Sequence, residues 1–126
     1  MRVAVTTNDL ETVDVPFGRA RHVVVYEVRR DRAHLQRVFA FDAPPARCDR
    51  RALRQRGAAL EGCVVLFTLE IGEVGAAIAR ARDVHPVRVA RPRSIADVLA
   101  TLRRDLAIMR PWSRAAVLGM GVRGAR

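Results

Sequence analysis

The sequence predicts a single α/β domain built on a five-stranded mixed sheet flanked by helices. Short β-branched runs and helical stretches follow one another in the order β-β-β-α-β-α-β-α, which combines a meander with crossover connections. The apolar run CVVLFTL at residues 63–69 is typical of a strand buried on both faces of a sheet. A chain of 126 residues that is 50% hydrophobic suffices for one core and is too short for two.

The first three predicted strands are residues 2–6, 22–28 and 35–41, which are rich in β-branched or alternating apolar residues. The segment TTNDLETVDVPFG interrupts this pattern with Asn, Asp, Pro and Gly, which predicts an irregular loop after the first strand. The charged RRDR after the second strand suits a hairpin turn. We therefore expect antiparallel or mixed pairing among the three strands.

Helices and strands alternate in the next part of the chain. Asp49 is placed to cap a helix that runs to about residue 60. The strand at 63–69 is the expected centre of the sheet, and IGEVGAAIARAR predicts a loop and an alanine-rich helix after it. VHPVRVA is a short strand, and Ser94 is placed to cap a last helix through about residue 108.

The predicted domain covers residues 1–109. Residues 110–126 form a basic tail with little to pack, which we expect to be mobile.

The charge of the chain points to an anionic partner. The 23 basic residues, all of them arginine, outnumber 13 acidic ones and give a net charge of +10. Such a field concentrates anions near the surface, and the planar guanidinium binds oxyanions through paired hydrogen bonds. The alternative is an ordinary solvated surface in a chain whose coding bias favours arginine.

The two cysteines, Cys48 and Cys63, lack the CxxC spacing of a structural zinc site or a disulfide framework, so a reducing compartment is expected. The amino-terminal segment turns polar after five residues, which argues against a signal peptide, and no run approaches the roughly 18 apolar residues of a membrane span. We expect a cytoplasmic protein without a membrane partner.

The sequence offers no clear catalytic set, so we expect a protein that is not an enzyme. No context marks His22, His34 or His85 as the base of a Cys63 nucleophile, and neither GxxxxGK[ST] nor GxGxxG is present. Cys63 is more readily interpreted as a small core residue. The scattered histidines also argue against a permanent metal site built by the protein alone.

Two alternatives involve nucleic acid. The order of elements is also that of ribonuclease H-like nucleases, which cluster carboxylates around two metal ions, and Asp9 and Glu70 are placed to meet at one sheet edge. Further carboxylates are hard to find, since Asp49 and Glu61 stand at the two ends of the first helix. Binding without cleavage fits the charge, but aromatic residues make up only 5% of the chain.

Five segments, taken in order, resemble the nitrogenase cofactor carriers of the NifX type, within the dinitrogenase iron-molybdenum cofactor-binding family that also includes NafY and the carboxyl-terminal part of NifB. They are RVAVTTNDLETVDVPFG, RHVVVYEV, EGCVVLFTLEIG, VHPVRV and SIADVLATLRRDL, with PWSRAAV after them. The similarity covers roughly residues 1–118, and it is the ordered set of segments that is specific.

This resemblance implies a ribonuclease H-like fold without the nuclease site. It also implies a protein that binds and transfers an iron-sulfur precursor of the nitrogenase iron-molybdenum cofactor, held transiently. The implied partners are scaffold and cluster-synthesis proteins of the NifEN and NifB type, and nucleic acid is not expected. The alternatives left open are a docking module for assembly proteins that does not bind the cluster, and a nucleic-acid-binding domain.

Many members of the family carry a histidine before the Phe-Gly pair, where this chain has Pro16. The resemblance places the cluster edge at the loop of residues 7–19 and the turn of residues 70–75. Because the family's histidine ligand does not carry over, His22 and Cys63 are the candidate metal ligands of this chain. The candidate cofactor-binding residues are Asn8, Phe17, Gly18, Arg19, Arg21, His22, Glu70 and Gly72.

Overall fold

A computed structural model describes residues 1–42 and 49–108 of the chain. The strands are β1 (Arg2–Thr7), β2 (Thr12–Val13), β3 (His22–Val28), β4 (Ala33–Ala40), β5 (Val65–Thr68), β6 (His85–Arg88) and β7 (Arg93–Ser94). The helices are α1 (Arg50–Ala58), α2 (Glu73–Ala81) and α3 (Ile95–Ile108), with a short 3-10 helix at Phe17–Arg19. The predicted tail and most of the DAPPAR linker lie outside the described residues.

Five of the strands form one mixed sheet in the order β4-β3-β1-β5-β6. The pairs β1–β3 and β3–β4 are antiparallel, whereas β1–β5 and β5–β6 are parallel. The predicted α/β fold class and five-stranded mixed sheet are therefore confirmed.

The prediction that residues 63–69 form the centre of the sheet is wrong, because β1 occupies the middle position and β5 lies beside it. The reason is visible in β1 itself. Its residues from Val3 to Thr7 are all buried, so this strand is covered on both faces as completely as β5. In the sequence, β1 shows a shorter apolar run than residues 63–69, because polar residues follow it directly.

A hydrophobic cluster covers each face of the sheet. Val3 and Val5 of β1 point to the face that α3 covers with Ile95, Val98, Leu99, Leu102 and Leu106. Ala4 points to the other face, where Leu60 and Ala79 pack. We refer to these as the α3 face and the α1/α2 face. The alternation along β1 is the two-residue period of a strand.

Both predicted helix caps are confirmed. The Asp49 carboxylate accepts a hydrogen bond from the Ala52 amide at 2.8 Å, and the Ser94 hydroxyl accepts one from the Asp97 amide at 3.0 Å. Helix α2 begins after Gly72, which contributes no side-chain cap.

The short strands β2 and β7 and the 3-10 helix were not predicted. Strand β2, within the loop after β1, pairs with β7 just before α3, and the Ile95 amide donates to the Glu11 carbonyl at 2.8 Å. This two-stranded ribbon ties the loop to the start of α3. None of the helices in the described ranges has the length and apolar character needed to span a bilayer.

Candidate functional site

The loop of residues 8–21 connects β1 to β3 at the carboxyl edge of β1, and its first turn is held by Asp9. One oxygen of this carboxylate accepts hydrogen bonds from the amides of Glu11 at 2.9 Å and Thr12 at 2.7 Å. These donors, the Glu11 amide first, lower the pKa of Asp9 from 3.8 to about 2. Leu10 adopts a positive φ of 68°, and its amide donates to the Thr7 hydroxyl at 3.0 Å.

The middle of the loop is fixed to the end of β5. The hydroxyls of Thr6 and Thr68, both fully buried, lie 2.8 Å apart, and Thr6 donates to the Val15 carbonyl at 2.9 Å. The Phe17 amide donates to the Glu70 carbonyl at 2.8 Å. Buried hydroxyls with partners of this kind stabilise one loop conformation, because an unpaired hydroxyl there would be costly.

The end of the loop is held by a buried arginine that sequence reasoning missed. Arg56 of α1 is only 2% exposed and donates to the Ala20 carbonyl through Nε at 3.1 Å and Nη2 at 2.8 Å. Its guanidinium also lies 4.5 Å from the centroid of the Phe41 ring. The sequence did hold a signal, since position 56 lies three residues after Leu53 and four before Leu60, on the predicted apolar face of the helix.

The structure brings two of the predicted polar residues, Asn8 and Arg21, into contact. The Asn8 side-chain oxygen accepts a hydrogen bond from the Arg21 amide at 2.9 Å, which closes the base of the loop. Arg19 and Arg21 are exposed, and their guanidinium groups have no hydrogen-bond or ionic partner among the described residues. This edge therefore presents free positive charge on a loop whose conformation is fixed from within.

Phe17 and Gly18 are buried, and Phe17 belongs to the core of the α1/α2 face. A Cβ at Gly75 would lie 3.1 Å from the Phe17 ring, so the ring packs closely against the first turn of α2. These two predicted site residues therefore position the loop and offer no surface to a ligand.

Glu70 and Gly72 lie beside the loop, both exposed. Glu70 contributes its carbonyl to the loop, whereas Gly72 precedes the first turn of α2. Because no side chain caps this helix, its first amides remain available to an anion next to the loop.

His22 and Cys63, the two predicted metal ligands, are separated by the structure. His22 opens β3 opposite Thr7, at the loop edge, and its Nδ1 is buried without a hydrogen-bond partner in the described part of the chain. Cys63 precedes β5 and so lies at the opposite edge of the sheet, 1% exposed. Burial raises the pKa of the Cys63 thiol to about 11, against the opposing charge of Arg2.

Cys63 is thus a buried thiol at the edge of the sheet opposite the loop, in line with its interpretation as a small core residue, and the structure does not bring it beside His22. No group of three His, Cys, Asp or Glu side chains within residues 1–42 and 49–108 is arranged to hold a metal ion.

The fold and the loop edge together define the class of protein: an α/β domain that displays arginines at the carboxyl edge of a mixed sheet. The solved structure titled "Crystal structure of PH0822" has the same fold, with a TM-score of 0.61 over 83% of this chain and 92% of that one, at 19% identity. The chain belongs to the family described as dinitrogenase iron-molybdenum cofactor, whose model matches residues 1–105.

Its relatives carry names from nitrogen fixation. Protein NifX of Sinorhizobium fredii is 31% identical over 97% of this chain and 81% of its own length. Protein NifX of Herbaspirillum seropedicae is 32% identical over 93% and 82%. Protein NifY of Azotobacter vinelandii is 29% identical over 94% of this chain, which spans 48% of that protein. The resemblance drawn from the sequence is confirmed.

Proposed function

We propose that this chain is a nitrogen-fixation accessory protein, without catalytic activity, that binds an iron-sulfur precursor of the iron-molybdenum cofactor and transfers it during cofactor assembly. The family match over residues 1–105 is the observation that carries the proposal. In this proposal the protein works in the cytoplasm with scaffold and cluster-synthesis proteins of the NifEN and NifB type, and its fold is a ribonuclease H-like domain without the nuclease site.

Two arginines of the loop edge support this role. Arg19 and Arg21 are exposed and free, and the uncapped amides at the start of α2 lie beside the loop. An anionic cluster meets guanidinium groups and helix amides there, both of which stabilise negative charge. The hydrogen bonds of Asp9, Thr6 and Arg56 hold this arrangement before the ligand arrives, so little conformational entropy is lost on binding.

His22 is the proposed metal ligand at this edge. It would take the role of the histidine that many family members carry at the position of Pro16. Its Nδ1 has no partner to give up among the described residues, and it lies across from Thr7 at the end of β1. The half-buried imidazole of His22 is a nitrogen ligand of the kind that metal clusters accept.

The second candidate is a docking module that binds assembly proteins and not the cluster. Two observations favour it. The side-chain oxygens of Asn8 and Asp9 already accept hydrogen bonds from backbone amides of the loop. The described residues also contain no group of three His, Cys, Asp or Glu side chains placed to hold a metal ion.

Anaerobic uptake of an isolated cofactor precursor distinguishes the two candidates. The purified chain should elute from gel filtration with iron and broad visible absorption. The double variant Arg19→Gln/Arg21→Gln should bind at least about tenfold more weakly, because two charge-assisted contacts are lost. His22→Ala should also weaken uptake.

The matched control is Arg51→Gln/Arg54→Gln, which removes the same charge from exposed positions of α1. Equal weakening in both double variants would contradict a site at the loop edge. A colourless chain that still co-elutes with the assembly proteins would contradict carriage and support docking.

A further inference from the structure

A cavity of about 550 Å³ lies on the α3 face, between α3 and the adjacent strands β5 and β6. Its apolar lining comes from both layers: Val65, Phe67 and Val87 from the sheet, and Val98 and Leu102 from the helix. The volume is that of a site for a small molecule. The cavity lies on the face of the sheet opposite Phe17 and the 3-10 helix, and it meets the loop only through the ribbon in which Arg93 pairs with Val13.

Three arginines line the same cavity where the chain leaves β6 and enters β7. They are Arg88, Arg91 and Arg93, all exposed. Arg93 reaches the Thr101 hydroxyl at 3.4 Å. Arg88 and Arg91 have no hydrogen-bond or ionic partner in the described part of the chain. Free guanidinium groups beside an apolar wall are the complement of a ligand that is anionic at one end and apolar at the other.

The remaining polar lining groups give the cavity a direction. Thr101 and Asp105 face it from successive turns of α3, and Asp105 is half-buried. Its carboxylate repels an anion at that end, so the charged end of a ligand belongs among the arginines, with its apolar body against Phe67 and Leu102.

The charge of the lining also decides between occupants. Residues 109–126, which follow α3, carry four arginines and no acidic side chain, so they do not complement an arginine rim. The concave apolar floor is unsuited to a nucleic-acid backbone, which is anionic along its whole length. A small amphiphilic anion satisfies both the floor and the rim.

We propose that the cavity between β5, β6 and α3 is a second ligand site, which binds a small organic anion with an apolar or aromatic body and a carboxylate, sulfonate or phosphate head. The test of this site requires no cluster.

The probe is 8-anilinonaphthalene-1-sulfonate, titrated into the full chain at physiological ionic strength and followed by its fluorescence. We expect saturable binding of one dye per chain. The double variant Arg88→Gln/Arg91→Gln should weaken it about tenfold, since both free guanidinium groups of the rim are removed. Decanoate should displace the dye, whereas inorganic phosphate at the same concentration should not, because phosphate has no apolar body.

The variant Arg51→Gln/Arg54→Gln again serves as the matched control, since it removes equal charge from the other face. In ¹H–¹⁵N spectra, the dye should shift amides of β6, β7 and α3 and leave those of α1 unchanged. Equal weakening in both double variants, displacement by phosphate, or shifts confined to the loop of residues 8–21 would each overturn the proposal.

Discussion

The loop at the carboxyl edge and the cavity on the α3 face use polar groups in opposite ways. In the loop, the side-chain oxygens of Asp9, Asn8 and Thr6 form hydrogen bonds with backbone groups of the same loop. In the cavity, Arg88 and Arg91 have no partner among the described residues. The difference separates two roles: groups that are satisfied internally hold a shape, whereas unsatisfied groups remain available to a ligand. Stability should therefore depend on the loop groups and hardly at all on the rim.

Removal of the Arg56 side chain should produce the largest effect. Arg56→Met keeps the apolar stem but leaves the Ala20 carbonyl without its two donors. The loss of hydrogen bonds from a charged group outweighs the gain from no longer burying the guanidinium, so we expect the free energy of unfolding to fall by about 2–3 kcal/mol. Urea denaturation measures it.

Two other arginines serve as controls for this variant. Arg54→Met, at an exposed position of the same helix, and Arg91→Gln, at the rim, should each change the unfolding free energy by less than about 0.5 kcal/mol. A rim variant that destabilises the fold as much as Arg56→Met would remove the distinction between the two regions.

The buried threonine pair should have an intermediate effect. Thr6→Val and Thr68→Val each remove one hydroxyl from the contact that joins β1, β5 and Val15. Each should cost about 1–2 kcal/mol, and the double variant should cost less than the sum, because the two hydroxyls are partners. The half-exposed Thr101 offers the control Thr101→Val. Strict additivity of the two changes would show that the hydroxyls act separately.

The smallest effect should come from Asp9, and it depends on pH. The pKa of Asp9 is about 2 in the folded chain and 3.8 ordinarily, because the loop amides stabilise the carboxylate. The folded state therefore gains stability from this group above pH 3.8 and loses it as the pH falls through 2.

Asp9→Asn should flatten the fall of the unfolding free energy across that window, as followed by urea denaturation at several pH values. Asp31→Asn, at another exposed carboxylate, should leave the slope in place. An unchanged slope in Asp9→Asn would mean that the loop amides do not stabilise the carboxylate in solution.

Much of the fold could be predicted because its signals are local. Asp49 and Ser94 are side-chain caps at helix starts, and the apolar run at 63–69 shows a buried strand directly. The β2–β7 ribbon could not be predicted, because two-residue strands are too short to show a period.

The candidate site was less accessible to sequence reasoning. The resemblance, and not the strand pattern, indicated Arg19 and Arg21 as site residues, whereas Phe17 from the same set proved to be part of the core. His22 and Cys63 stand at or just before the start of a strand, and they are separated because β3 runs antiparallel to β1 whereas β5 runs parallel to it. The cavity is further still from the sequence, since its lining combines β5, β6 and α3 only after the layers pack.

The burial of Cys63 has a practical consequence. A neutral thiol that is 1% exposed does not react with a maleimide until the surrounding core opens. Its rate of alkylation, measured on the peptide that contains it, therefore reports how often the α1/α2 layer leaves the sheet under native conditions. The alkylation rate of Cys63 is thus a built-in measure of core opening, and it can be compared with and without a bound ligand.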